Sequence, residues 1–135
     1  MSSIKDFLFT PADEITETIR PSKRFKTPFE IRAISEERNE QLRKNNTKVT
    51  INKRMGRKEK SVDQDSYMDD LMIECIISPD LKNKELQQHY GTPGDTAGTL
   101  KKMLLPGEYT NMLEAIQELN GFDDIDDLRE EAKND

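Results

Sequence analysis

Residues 104–122, LLPGEYTNMLEAIQELNGF, carry the signals for the start, buried face and end of one amphipathic helix. Pro106 suits a first helical turn, and Glu108 places negative charge at the positive end of the helix dipole. Gly121 can adopt the left-handed conformation that ends a helix, after which Phe122 is expected to fold back onto the last turn and join the core. Between these signals, five apolar residues recur at three- and four-residue spacing and predict one buried face: Tyr109, Met112, Leu113, Ile116 and Leu119.

A second helix is predicted from 63 to 77 as the surface against which the first one packs. Asp63 or Ser61 can cap its start, and Pro79 ends it because proline disfavours a helical conformation in the residue before it. We expect Cys75 to be a small buried hydrophobe and not a reactive thiol. The apolar face of this helix comprises Met68, Leu71, Met72, Cys75 and Ile76.

The first half of the chain has the alternating pattern of strands. Residues 14–20 and the run that begins at Phe29 both alternate apolar and polar side chains, which predicts a hairpin across the connection PSKRFKTP. Ser35 is predicted to cap a polar surface helix that continues to about Lys44 and has Leu42 as its one large apolar side chain.

Residues 45–62 leave two interpretations open. Val49 and Ile51 alternate with polar residues, and Met55-Gly56 could form a turn, which would give a basic hairpin. A solvated loop is the interpretation that we favour over the hairpin.

Short helical segments complete the predicted structure. A short helix is expected over 84–90 after Leu81, a loop over 91–99, and a single helical turn at 100–104. The last predicted helix has an acidic outer face, and its apolar residues are Ile125, Leu128 and Ala132.

The predicted fold is α+β and predominantly α-helical, with small N-terminal β-hairpins packed against a C-terminal bundle of short helices. We expect one compact domain with three parts: an extended arm over 1–13, a hairpin, polar helix and basic connector over 14–62, and a helical core subdomain with an acidic tail over 63–135. The core is thin, since Leu, Ile, Val and Phe account for 29 of the 135 residues and 36% of the chain is charged.

Charge is distributed unevenly along the chain. The net charge is −6, but residues 123–135 hold seven acidic and two basic residues, whereas residues 46–60 hold six basic residues and one acidic residue. Such polarised segments are typical of surfaces that meet a partner of opposite charge.

No catalytic, cofactor or metal site is predicted. Cys75 and His89 each stand alone, and Gly91, Gly94 and Gly98 lack the Lys-Ser/Thr pair of a phosphate-binding loop. An enzyme is therefore not expected. No apolar run approaches the ~18 residues that a membrane span requires, so we expect a soluble, intracellular protein.

The candidate partner-binding residues fall into three groups. An apolar cluster near the N-terminus would either dock on the domain itself, which we favour, or contact a partner. Basic residues in the middle lack interleaved aromatic residues for stacking on bases, which makes nucleic acid an unlikely ligand. The three groups are Phe7, Leu8 and Phe9; Lys53, Arg54, Arg57 and Lys58; and Asp126, Asp127, Glu130 and Glu131.

Several short motifs, taken in order, resemble a known family. They are PFEIRAIS and EERNEQLRK in the first half, SPDL followed by HYG, and then LLPGEY, LNGF and EEAKN. From about residue 14 onward the chain resembles the XkdN-like tail assembly chaperones of Gram-positive phages and PBSX-type prophages of Bacillus.

The resemblance implies a non-enzymatic protein without a cofactor that acts in the cytoplasm of the bacterial host. It would bind the tape-measure protein, keep it soluble while tail tube subunits polymerise, and be absent from the mature virion. The tail tube protein is a second expected partner, and a homo-oligomer is left open. Ala132-Lys133-Asn134 can be encoded by a slippery sequence, which suggests a ribosomal frameshift.

Two other functions stay open at this point. One is a structural tail or tail-completion subunit. The other is a small nucleic-acid-binding phage regulator that uses the basic segment 46–60.

Overall fold

The computed structural model describes residues 3–122 and has the predicted α+β architecture. The acidic segment 123–135, with its predicted last helix, lies outside the described residues. Single 3-10 turns form at Ile4–Phe7 and Ala12–Glu14. The remaining elements, in order, are β1 (Thr16–Ile19), β2 (Phe29–Arg32), α1 (Glu36–Asn45), β3 (Thr47–Asn52), β4 (Arg57–Val62), α2 (Gln64–Cys75), β5 (Ile76–Ser78), α3 (Lys84–His89), α4 (Thr96–Met103) and α5 (Pro106–Leu119).

A three-stranded antiparallel sheet of order β1-β2-β5 forms one layer of the core. The predicted hairpin is confirmed, and β2 buries Phe29 and Ile31 on its inner face. The prediction that the second helix continues to residue 77 is wrong at its end. α2 stops at Cys75 because the next residues, Ile76–Ser78, pair with the free edge of β2.

Helix α5 packs on α2 and on the sheet, as the apolar stripes of the two helices predict. Met112 and Ile116 on α5, and Met72 and Cys75 on α2, are completely buried. The other stripe residues contact the core from its margin while partly exposed: Met68, Tyr109, Leu113 and Leu119.

Phe122 differs from its predicted role in the core. Its side chain is 38% exposed and lines a surface crevice beside Ile34 and Leu71. Gly121 has φ +81°, so the helix ends where the sequence predicted, but the turn directs Phe122 toward this crevice and not into the core.

Two helical segments begin where local capping allows them. α1 starts after Ser35, whose hydroxyl accepts a hydrogen bond from the Arg38 backbone N–H, as predicted. The predicted loop over 91–99 is too long, because the Asp95 side chain caps α4 by accepting a bond from the Gly98 N–H. α4 therefore makes two turns and not one.

The favoured loop over 45–62 is a hairpin in the structure. β3 and β4 pair along six residues each, from Thr47 opposite Val62 to Asn52 opposite Arg57. Gly56 has φ +62°, which lets the chain reverse within four residues. Main-chain pairing and this turn support the strands, and apolar packing contributes little. Because amino-acid composition does not reveal such pairing, the preference for a solvated loop was wrong.

The N-terminal arm was expected to be extended, but in the structure it contains two single turns. The Ser3 hydroxyl accepts a bond from the Lys5 N–H, and the Asp6 carboxylate accepts one from the Ser3 N–H. These local bonds fold a single turn at Ile4–Phe7, and a second turn follows at Ala12–Glu14.

Candidate partner-binding surfaces

The N-terminal arm presents an apolar cluster to solvent. Ile4, Phe7, Leu8 and Phe9 are 74%, 64%, 73% and 81% exposed. The arm joins the domain at Ile15, whose carbonyl accepts a hydrogen bond from the Ala33 N–H at 2.9 Å. The favoured expectation that this cluster docks on its own domain is therefore wrong, since these side chains do not contribute to the core.

The hairpin of β3 and β4 brings the basic candidates together. Lys53 and Arg54 lie in its turn, and Arg57 and Lys58 follow at the start of β4. The ribbon forms a two-stranded sheet of its own, separate from the sheet of β1, β2 and β5. The four bases thus share one projecting element instead of being spread over a loop.

Residues directly opposite each other in an antiparallel pair point to the same face. Val49 lies opposite Lys60, and Ile51 lies opposite Lys58, so one face of the hairpin is both apolar and cationic. Val49 and Ile51 are 55% and 69% exposed, and Met55 in the turn is 63% exposed.

The base of the hairpin is fixed to the domain by Asn46. Its side-chain Nδ2 donates to the Leu42 carbonyl at 2.7 Å and to Asp70 Oδ2 at 2.8 Å. The Asn46 carbonyl accepts a bond from the Asp63 N–H at 2.8 Å. Asn46 therefore joins α1 to α2 at the point where the ribbon leaves the domain, and it sets the direction of the hairpin.

The connection between β1 and β2 is anchored by an ion pair that the sequence reasoning missed. Arg24 Nη2 donates to Glu108 Oε1 at 2.7 Å, and Arg24 Nε donates to Oε2 at 3.0 Å. Ser22 Oγ and the Leu105 N–H also donate to this carboxylate, which is 3% exposed. These hydrogen bonds lower the pKa of Glu108 to about 2, and the bond from Arg24 has the largest effect.

A second ion pair joins α1 to α2. Arg38 Nε donates to Glu74 Oε1 at 2.8 Å and Arg38 Nη2 donates to Oε2 at 3.1 Å, which lowers the pKa of the Glu74 carboxyl below its usual range. Both ion pairs hold elements of the domain together, so we assign them a structural role.

The described residues show little of the chemistry of a catalytic site. Burial raises the pKa of the Cys75 thiol to about 11, which keeps it protonated at neutral pH. His89 packs edge-on against Tyr90 at 4.8 Å between ring centroids. Within residues 3–122 there is no group of three His, Cys, Asp or Glu side chains that could hold a metal ion.

In the described part of the chain, every helix is too short or too polar to cross a membrane. The predicted acidic candidates Asp126, Asp127, Glu130 and Glu131 lie beyond the residues that the structure describes. Within residues 3–122, the candidate surfaces are therefore the arm and the hairpin.

Comparison with known proteins identifies relatives along most of the chain. The family model described as phage XkdN-like tail assembly chaperone protein matches residues 4–133. The phage-like element PBSX protein XkdN of Bacillus subtilis (strain 168) is 38% identical over 108 residues, which cover 79% of this chain and 72% of the relative. The uncharacterized protein YqbN of the same strain is 37% identical over 108 residues, with the same coverage.

A solved structure has a similar fold. The crystal structure of the protein YqbN superposes with a TM-score of 0.62 and covers 79% of this chain and 87% of that one. Identity in the structural alignment is 28%.

Proposed function

This chain belongs to the family of XkdN-like phage tail assembly chaperones, and from that membership we propose its function. In this proposal the protein is a non-enzymatic chaperone in the cytoplasm of the bacterial host. It binds the tape-measure protein and keeps it soluble while the tail tube assembles, with the tail tube protein as a second partner. It leaves before the virion is complete.

The observation that carries this proposal is the exposed apolar arm. A protein that shields an aggregation-prone client needs apolar side chains that its own fold does not use, and contiguous exposed apolar clusters commonly mark such contacts. Phe7, Leu8 and Phe9 meet this requirement, since each is more than half exposed. The net charge of −6 favours the solubility of a complex formed through them.

Co-expression with the tape-measure protein tests the proposal. We expect the wild-type chain to keep the tape-measure protein in the supernatant and to co-purify with it. A Phe7→Ser/Phe9→Ser variant should lose co-purification while its thermal melting stays unchanged, because neither ring contributes to the core.

Leu105→Ser is the matched control, because Leu105 is a 58% exposed apolar residue elsewhere on the surface. Equal loss of binding in both variants would argue against a specific role for the arm. Insoluble tape-measure protein in the presence of the wild-type chain would count against the chaperone function itself.

The two other candidate functions predict different experimental results. Recovery of the protein from purified particles would favour a structural tail or tail-completion subunit. The hairpin gathers Lys53, Arg54, Arg57 and Lys58, so nucleic-acid binding would appear as an affinity that falls steeply with salt. The proposed frameshift at Ala132-Lys133-Asn134 depends on the codons, which the gene sequence reveals directly.

A further inference from the structure

One face of the hairpin carries a row of apolar side chains next to a row of lysines. The apolar row is Val49 and Ile51 on β3, and the lysine row is Lys60 and Lys58 on β4, each directly opposite its apolar neighbour. All four residues are exposed. We call these four residues the mixed face of the hairpin.

The opposite face of the hairpin is polar and contains its own acidic groups. Lys48 Nζ lies 3.5 Å from Asp63 Oδ2, and Asn52 Nδ2 donates to Glu59 Oε1 at 3.4 Å. Within residues 3–122, neither lysine of the mixed face is paired with a carboxylate in this way. The two faces therefore differ in kind, and the mixed face is the one that has both apolar surface and uncompensated positive charge.

The mixed face continues outward from the core of the domain. Val62 follows Lys60 by two residues on β4, so its side chain points to the same side of the ribbon, and it packs against the core. Farther out, Val49 and Ile51 receive no such cover. Because an isolated two-stranded hairpin is only marginally stable in water, a partner that packs on this outer part would stabilise the ribbon.

The charge of the hairpin selects an acidic partner. Residues 46–60 carry six basic residues and one acidic residue. The same face of a second copy would place lysines against lysines, which is unfavourable. Nucleic acid would neutralise the lysines but leave Val49 and Ile51 unused, and residues 45–62 contain no aromatic side chain for stacking on bases. A protein segment with both carboxylates and apolar side chains is the complementary ligand.

The two parallel rows favour a helix over an added strand. Neighbouring strands lie roughly 4.8 Å apart, so a segment that lies along the ribbon can contact both rows at once. A strand paired with either free edge would adjoin only one row. A helix also satisfies its own backbone hydrogen bonds, for which an apolar surface offers no partners. Its side chains at i and i+4 are roughly 6 Å apart along the axis, close to the roughly 7 Å between Val49 and Ile51 along their strand.

We propose that the mixed face of the hairpin docks an acidic amphipathic helix of a partner protein. The apolar stripe of that helix contacts Val49 and Ile51, and its carboxylates pair with Lys58 and Lys60. The six residues of each strand extend for roughly 20 Å, which a helix of about 14 residues matches. This surface goes beyond the proposed function, because it is separate from the N-terminal arm and does not depend on which protein supplies the helix.

Titration of a fluorescent designed peptide with the full chain tests the contact, and the anisotropy of the peptide reports binding. The probe is a helix of about 14 residues with leucines at three- and four-residue spacing, glutamates beside them and alanines elsewhere. We expect saturable binding that weakens as salt rises. A matched peptide with glutamine in place of glutamate should bind about tenfold more weakly, because it has no carboxylates for Lys58 and Lys60.

Two charge variants separate the faces of the hairpin. Lys58→Gln/Lys60→Gln should weaken binding of the glutamate peptide about tenfold. Lys48→Gln/Arg57→Gln is the matched control, because it removes the same charge from the opposite face. It should change binding by about twofold or less, since physiological salt screens charges that are more than about 8 Å apart.

The apolar half of the contact is measured on the wild-type chain, so that no substitution can unfold the ribbon. The methyl NMR signals of Val49 and Ile51 should shift as the glutamate peptide is added, whereas the methyl signal of Thr50, on the opposite face, should not. Phe7→Ser/Phe9→Ser should bind this peptide as the wild type does. A failure at the hairpin is therefore distinguishable from a failure of the arm and of the chaperone function.

Several results would overturn the proposal. Absence of saturable binding would show that the face takes no acidic helix, and equal binding of the two peptides would show that its lysines do not contribute. Equal shifts at Thr50 and Val49 would show that the peptide has no preferred face. Tighter binding of a single-stranded oligonucleotide, lost in Lys58→Gln/Lys60→Gln, would assign the face to nucleic acid. A dimer that dissociates in Val49→Thr/Ile51→Thr would assign it to a second copy.

Discussion

Truncation of Ile116 to alanine offers a direct test of how the core is built around α5. Ile116 is completely buried, whereas Leu113 on the same helix is only partly buried. Each substitution removes three carbon atoms, so composition alone predicts equal costs. Because burial differs, the structure predicts that Ile116→Ala lowers the free energy of unfolding considerably more than Leu113→Ala.

The magnitude follows from transfer and cavity contributions. Three fully buried carbon groups at about 0.8 kcal/mol each, together with the cavity left between α5 and α2, give a loss of about 3–4 kcal/mol for Ile116→Ala. Leu113→Ala leaves a space open to solvent and should cost about 1–2 kcal/mol. Losses near the upper value are a large share of the stability of a small domain.

Urea denaturation followed by circular dichroism measures both losses under one set of conditions. The denaturant dependence should stay the same in the two variants, so that the difference appears in the midpoint alone. Equal losses, or a larger loss for Leu113→Ala, would refute the assignment of Ile116 to the closed core. Near-wild-type stability with lost client binding would instead make this helix face a binding surface.

Three further predictions concern single residues. Because the pKa of Glu108 in the folded protein is about 2, below its ordinary value of 4.5, its contribution to stability is complete above pH 4.5. That contribution should be lost as pH falls from about 4.5 toward 2, and in Glu108→Gln the melting temperature should show less of this acid dependence. Cys75 should react with a thiol reagent only as the protein unfolds, so its labelling rate in denaturant should follow the loss of circular dichroism. Gly56→Ala should speed limited proteolysis of the hairpin, because a left-handed conformation costs a residue with a side chain about 1–2 kcal/mol, whereas Gly107→Ala, at a helical position, should not.

Local signals explain why the helices could be predicted. The stripe of α5 and the face of α2 repeat at helical spacing, and Pro106 and Gly121 mark where α5 starts and stops. Capping by Ser35 depends only on residues within one turn. The motifs that resemble the XkdN-like family are also contiguous in sequence, so recognition did not need the tertiary structure.

Pairing between residues that are far apart in sequence explains most of the structural features that the sequence patterns did not predict. Ile76–Ser78 continues the apolar pattern of a helix, but the edge of β2, more than forty residues earlier, provides better main-chain partners. The hairpin over 47–62 was misjudged because its strands are supported by cross-strand bonds and not by an apolar face. Among the candidate partner-binding residues, the exposure of Phe7, Leu8 and Phe9 depends on where the arm lies relative to the rest of the domain, which no local pattern reveals.

The sequence by itself determined the α+β class, the two central helices and membership of the chaperone family, because these depend on periodicity and short contiguous motifs. Only the tertiary structure decided that Arg24 reaches Glu108 across 84 residues, and that the lysines of the hairpin share a face with Val49 and Ile51. The physical reason is that charge pairing and strand register depend on distances in space, and the order of residues along the chain does not specify those distances.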